Sequence, residues 1–291
     1  MSLKIILALA LCAVTTTTQD KTYDLKLEAK PVKGHKSEMA ETSVMKMVMK
    51  MTGLPEPMQM GEEGNFAATE EVLSADADGN CELKWAFTKA TQNKEGQNVA
   101  LGFQGNTVIV KQAKGKAREF AYEDGKKIAD EDLPALKKAF MGGGDKPGEA
   151  SGADIFAPKK PVKVGESWSL DIKEVVKGMF DAEMAEAVQY DKATSKFTLK
   201  SVEARNGAEF GKIDGVLELP LGAMGPMKLD APIMLKMVLE ADACIDGKLP
   251  DHVVKIKAEM KGKTAAAGPN GKIDIDLDMT MSGNLTTRTA K

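Results

Sequence analysis

Pro161-Val162-Lys163-Val164-Gly165-Glu166-Ser167-Trp168-Ser169-Leu170 divides the chain. Pro158 and Pro161 favour extended backbone on either side of two lysines. Val162 and Val164 then alternate with Lys163, and Gly165 permits a tight bend. Trp168 suits the anchoring of the next segment in an apolar layer. Before this stretch the sequence reads as strands ending in a helix, and after it as a helix followed by strands.

On the N-terminal side, Asp130 to Phe140 predicts a helix. Acids open it, Pro134 stands in its first turn, lysines close it, and Leu133, Leu136 and Phe140 form its apolar stripe. Gly142, Gly143 and Gly144 end it and begin a flexible linker. Further back, Tyr23, Leu25 and Leu27 alternate with Asp24, Lys26 and Glu28, the pattern of a half-buried strand. Two hairpins follow. The first joins Phe66 to Ala75 with Cys81 to Phe87 around Asp76-Ala77-Asp78-Gly79-Asn80, and the second joins Thr107 to Gln112 with Lys116 to Tyr122. The Asp76 turn resembles the start of a calcium loop, but Trp85 and Phe87 stand where the bidentate acid would fall. A turn is therefore expected there.

Val44-Met45-Lys46-Met47-Val48-Met49-Lys50-Met51 is the most pronounced alternation in the chain. At period two, Met45, Met47, Met49 and Met51 share one face and Val44, Lys46, Val48 and Lys50 the other. Such a face is either packed core or the deformable wall of an apolar cavity, because methionine is flexible and polarizable. Residues 53–64, with Pro55, Pro57, Met58 and Met60, read as a loop with apolar side chains, either a lid or a plug on the core. Met45, Met47, Met49, Met51, Met58 and Met60, together with Trp85, are the candidate ligand-binding residues.

On the C-terminal side, Ile172 to Val188 predicts a helix weakened by Gly178. Strands are expected at Phe197 to Val202, Glu209 to Leu219, Ile233 to Ala243, Val253 to Met260 and Ile273 to Met281. Asp274, Asp276 and Asp278 share one face of the last, and Lys255, Lys257 and Lys261 one face of the strand before it, a pattern for a solvated charge ladder. A faint repeat spans the pivot. Val72 to Leu83 lies without gaps on Leu199 to Phe210, with identities at Ser74/Ser201, Ala77/Ala204 and Glu82/Glu209.

Composition narrows the function. A net charge of -3 with 29% charged residues of both signs argues against electrostatic nucleic-acid binding, and 5% aromatics argues against base-stacking platforms. The two histidines, His35 and His252, stand in turn-like contexts, so neither a histidine metal cage nor a Ser/His/Asp set is expected. No cofactor is implied and a non-enzymatic protein is expected. The N-terminus carries Lys4, an apolar run from Ile5 to Val14 and then threonines, which reads as a secretory signal over residues 1–19. Leu11 before Cys12 argues against acylation of that cysteine. Export leaves Cys81 and Cys244. Cys81 shares its parity with Leu83 and Trp85 and should point inward, whereas Cys244 shares its parity with Glu240 and Asp242 and should point outward. Two free thiols are therefore expected.

The Pro161 to Trp168 pattern resembles a loosely defined group of exported, β-rich bacterial proteins common in planctomycete-like genomes. More distantly the chain looks like the curved half-barrels that carry lipoproteins or lipids in the periplasm. The resemblance implies export and a β-rich fold. The expected fold is mainly β with two helices, a curved antiparallel sheet or half-barrel, with the faint repeat read either as two generic hairpins with similar turns or as a duplicated meander unit. Its expected organisation is a signal peptide (1–19), an antiparallel unit ending in a helix (20–141), a Gly/Pro linker (142–160), and a C-terminal helix with a second antiparallel unit (161–291). The expected function is binding of an apolar small molecule, a lipid or acyl chain, on the methionine face of a periplasmic or extracellular protein. The alternative is a structural or envelope-interaction protein with no small-molecule site.

Overall fold

A computed structural model describes residues 21–94, 96–113, 116–141, 153–180, 182–268 and 271–290. The expected secretory signal with Cys12, and most of the glycine linker, lie outside the described residues.

The N-terminal strands are β1 (Thr22–Tyr23), β2 (Lys36–Met51), β3 (Met58–Ala75), β4 (Cys81–Lys94), β5 (Gln97–Ala100), β6 (Thr107–Gln112) and β7 (Glu119–Tyr122), followed by helix α1 (Leu133–Lys138). After the linker come β8 (Val162–Lys163), β9 (Ser167–Trp168), α2 (Ile172–Met179) and α3 (Ala182–Ala187). The chain closes with β10 (Thr194–Arg205), β11 (Ala208–Met224), β12 (Met227–Cys244), β13 (His252–Gly268) and β14 (Gly271–Thr289).

One large antiparallel sheet holds most of these strands, in the order β7-β6-β4-β3-β2-β14-β13-β12-β11-β10-β9, with β5 beside β4. It is curved and unclosed, the expected half-barrel class. β1 and β8 form a separate two-stranded pair. The N-terminal and C-terminal strands meet where β2 pairs with β14, in unbroken register from Met51↔Ile275 to Ser37↔Thr289.

The alternation read in the sequence determines which face is buried. Ile275, Leu277 and Leu285 of β14 are buried, while Asp274, Asp276 and Asp278 point the other way. All three helices lie on the buried side, called here the inner face. There α2 and α3 pack on the C-terminal strands through Val175, Val176, Met184 and Ala185, and α1 packs on the N-terminal strands through Leu136. The apolar residues divide into two large cores. One centres on Phe197, Leu219, Leu235 and Leu277, and the other on Phe66, Trp85, Phe103 and Leu136.

The structure revises several local expectations. The helix expected over Ile172 to Val188 is two short helices, α2 and α3. The break begins at Phe180, whose extended backbone (φ -121°, ψ 157°) follows the weak helix former Gly178. Residues 58–64, expected in a loop, belong to β3, so Met58 and Met60 are strand residues. Pro55 and Pro57 are confined to the turn between β2 and β3, where no ladder hydrogen bond is lost. The segment from Tyr23 to Leu27 makes a strand pairing only at Thr22–Tyr23, and only one bridge, Lys26 to Asp246, beyond it.

At the pivot, Gly165 takes φ 85° and its amide donates to the Leu199 carbonyl (2.7 Å). Trp168 pairs with Phe197, and its Nε1 donates to the Phe156 carbonyl (3.0 Å). The Asp76 turn is held by its own carboxylate, which accepts from the amides of Asp78 and Asn80 (both 2.9 Å), so its oxygens serve the turn. The faint repeat has a structural counterpart. The ladder slips by one residue at Leu73 in β3 and at Lys200 in β10, and these positions coincide in the gap-free alignment. A shared bulge at matched positions supports a duplicated unit.

The cysteines are free and point to opposite faces, but Cys244 is not exposed. It is buried on the outer face against Ala208, Phe210 and Leu249, because the chain after β12 folds back over it. Its Sγ donates to Asp246 Oδ1 (3.1 Å). Burial would raise the Asp246 carboxyl, but hydrogen bonds from Lys248, Cys244 and the Glu209 amide hold it at about 2. Burial raises both thiols, with Glu70 adding to the effect on Cys81. Native protein should therefore react slowly with a disulfide reagent, half-buried Cys81 first and Cys244 only on unfolding. A count of two thiols is expected for Cys81 and Cys244 in unreduced, unfolded monomer, and a count of none would contradict this placement.

Candidate functional site

The register places the candidate methionines and shows their neighbours. Cross-strand partners share a face, with Cβ atoms about 5 Å apart. Met47 of β2 stands between Met60 of β3 and Met279 of β14, and Met279 in turn faces Met260 of β13. That row carries one methionine on each of four adjacent strands. The next row toward the start of β2 is Glu62, Met45, Met281, Ala258 and Met237. On the other side, Met58 faces Met49, which faces Leu277.

Burial falls steadily across the main row. Met260 is 6% exposed and lies within the larger core. Met279 and Met47 are half-buried against that core, as are Met51 and Met281. Met60 is 51% exposed and Met58 41%, and neither belongs to either core. Met49 is buried. The methionine face therefore begins as packed core under the C-terminal strands and emerges to solvent between the two cores.

The floor beside it is low. The row after Glu62 and Met45 consists of Gly64, Ser43 and Gly283. The row after that is Phe66, Glu41 and Leu285, and there the backbone amide of Phe140 donates to Glu41. The methionine rows are thus bounded at one end by the segment after α1 and open toward the β2–β3 turn, where Leu54 is also exposed.

Over its five central strands the charge on this face is one-sided. Inner positions of β3, β2, β14, β13 and β12 carry no lysine or arginine among the described residues. The acids there are Glu41, Glu62 and Glu70. Glu62, half-buried beside Met45, accepts from Gln92 Nε2 (2.9 Å). Glu70 lies far along β3, accepts from Trp85 Nε1 (2.8 Å), and has its carboxyl raised by burial. The outer face instead carries paired ions such as Lys261–Asp278 (3.6 Å) and Lys263–Asp276 (3.3 Å), the expected ladder. Lys255 and Lys257 face Asn284 and Ser282 rather than aspartates.

Trp85 lies apart from the methionines. It is buried in the smaller core against Phe87, Phe120 and Phe140. His252 is also occupied, with Nδ1 against the Pro250 carbonyl (2.8 Å) and Nε2 near Thr287 Oγ1 (3.3 Å), and burial lowers its basicity. No group of three or more His, Cys, Asp or Glu residues placed to hold a metal occurs among the described residues. A groove of about 550 Å³ where β12 leaves register is lined by Lys50, Lys263, Lys272, Asp230, Asp274 and Asp276. Its charges neutralise one another, as in Lys272–Asp230 (2.8 Å). Sequence reasoning missed Met237, Met260, Met279, Met281 and Glu62. Their parity was readable, but their place beside Met47 depends on a strand order that no local pattern specifies.

No family model matches the chain, and no curated protein matches it. Among solved structures, DynF from the dynemicin biosynthesis pathway of Micromonospora chersina aligns at 8% identity over 90% of this chain and 84% of that one, with a TM-score of 0.18. A DUF1329 family protein from Desulfovibrio piger aligns at 8% identity over 88% and 86%, with a TM-score of 0.18. The outer membrane protein OprG from Pseudomonas aeruginosa aligns at 10% identity over 90% and 100%, with a TM-score of 0.14. Likenesses at these TM-scores carry no conclusion about this chain. No helix among the described residues is long and apolar enough to cross a membrane.

Proposed function

We propose that this is an exported, non-enzymatic binding protein that holds an apolar chain, such as a lipid acyl chain, against the methionine face. The observation that carries the reading is the exposure of Met58 and Met60 on the inner face, in register with Met49 and Met47. An apolar row left open on the side of the sheet that buries both large cores is a surface suited to a partner. Methionine adapts its shape to varied chains at the cost of a less uniquely packed core. The apolar run from Ile5 to Val14 supports export. A structural envelope protein is the second reading, favoured by the packing of Met47, Met49 and Met51 against the core.

Binding of a neutral, environment-sensitive naphthylamine probe separates the two. Wild-type protein should bind it at micromolar concentrations. Met60→Asp should weaken binding by about tenfold or more, since it sets a charge in the apolar row. Met47→Leu/Met60→Leu should retain it, because leucine and methionine have similar volume. A wild-type protein that leaves the probe in water favours the structural reading.

A further inference from the structure

Apolarity alone does not explain why this row is methionine. Leucine would line a hydrocarbon groove equally well and would lose less side-chain entropy on ordering. What methionine adds is a thioether sulfur, a soft donor that selects copper(I) and similar soft cations. Met60, Met47 and Met279 occupy consecutive strands at one register position. With neighbouring Cβ atoms about 5 Å apart, side chains of this length are long enough to converge above the central Met47. Met45 and Met281 stand together in the adjoining row, within diagonal reach. None of these five is fully buried, so a cation in water has access to them.

The electrostatics agree. No ammonium or guanidinium shares the inner face of β3, β2, β14, β13 or β12 to repel a cation, and Glu62 is the charged group nearest this row on those strands. Hard divalent ions call for several oxygen ligands, which this row lacks. The remaining soft donors lie elsewhere. Cys244 is buried on the outer face, and Cys81 stands at the far end of β4.

We propose that Met47, Met60 and Met279 form a binding site for a soft monovalent cation of the copper(I) class, using thioether sulfurs alone. The site lies on the face proposed above for an apolar chain but does not depend on that function. A protein with both properties would hold the cation under, or in competition with, the bound chain.

Silver(I), a redox-inert soft cation, is the probe. It is titrated into the full mature chain carrying Cys81→Ser/Cys244→Ser, with the methionine methyl groups followed by carbon-13 NMR. The expected result is saturable binding at one equivalent, with shifts concentrated at Met47, Met60 and Met279. Met47→Leu/Met60→Leu should weaken it by a hundredfold or more, at least the roughly 10–100-fold typical of losing an outer-shell partner. The far-UV circular dichroism of this variant should match the wild type, because leucine and methionine have similar volume. Should the serine replacements unfold the protein, Cys81→Ala/Cys244→Ala takes their place. Methyl resonances that do not move, or that move equally at Met39 and outward-facing Met234, overturn the metal site and leave the apolar reading untouched. Silver binding at Met47 without any probe binding overturns the apolar reading and leaves the metal site.

Discussion

Gly215→Val is expected to destabilise the protein by about 3 kcal/mol or more, enough to remove much of the stability of an ordinary domain. Gly215 faces Phe197 across the β10–β11 ladder, and the ring lies directly over its Cα. A Cβ there would stand 2.2 Å from Cε1 of Phe197 and 2.5 Å from Cδ1. The ring has nowhere to turn. It is buried, with the rings of Phe156 and Trp168 at 5.9 and 6.1 Å between centroids. The substitution must therefore displace the aromatic cluster that fastens β9 to the sheet. Gly262→Ala on the same face is the control, since its Cβ would meet Ile233 at an ordinary 3.6 Å. Urea denaturation of both variants provides the measurement. Combining Gly215→Val with Phe197→Ala should show a favourable coupling, because the second change removes the atoms in conflict. Equal urea midpoints for Gly215→Val and wild type would mean that the ring is not seated there.

The second large effect contrasts two residues of the methionine row. Met260→Asp should cost about 3 kcal/mol or more at neutral pH, because it buries a carboxylate with no cation available on that face. Met60→Asp, at a site 51% exposed, should cost less than about 1 kcal/mol. The pH dependence follows from burial. The carboxyl that Met260→Asp introduces would titrate higher in the folded than in the unfolded chain, so its penalty should shrink as pH falls through the folded value. Equal urea midpoints for the two variants would refute the burial gradient from which the open end of the row is inferred.

Strand class and facing were legible because side chains alternate at period two and one face is buried. The run from Val44 to Met51, and the acids of Ile273 to Met281, show this without any knowledge of partners. What stayed hidden was whatever depends on distant chain. Met58 and Met60 follow Pro57 and look like loop until β2 is placed beside them, since a neighbouring ladder decides whether a short apolar stretch is strand. Parity put Cys244 correctly on the outer face, but its burial depends on Leu249 folding back over it. The strands themselves run longer than they read. The 19 residues of β14 end in Thr, Gly and Asn positions whose strand character comes from pairing rather than propensity.

The pairing of β2 with β14 governs the order in which the molecule can assemble. One flank of β2 gains its partner only when the last nineteen-residue strand exists, because Ser37 waits for Thr289 and Met51 for Ile275. During synthesis the N-terminal strands therefore present an unfilled ladder edge next to the methionine row until β14 has emerged. Such long-range closure makes for slow folding and a late commitment step. A nascent chain stalled before Gly271 would leave two ladder edges open, on β2 in its interior and on β13 at its end, and a chaperone that shields apolar strand edges would find its substrate there.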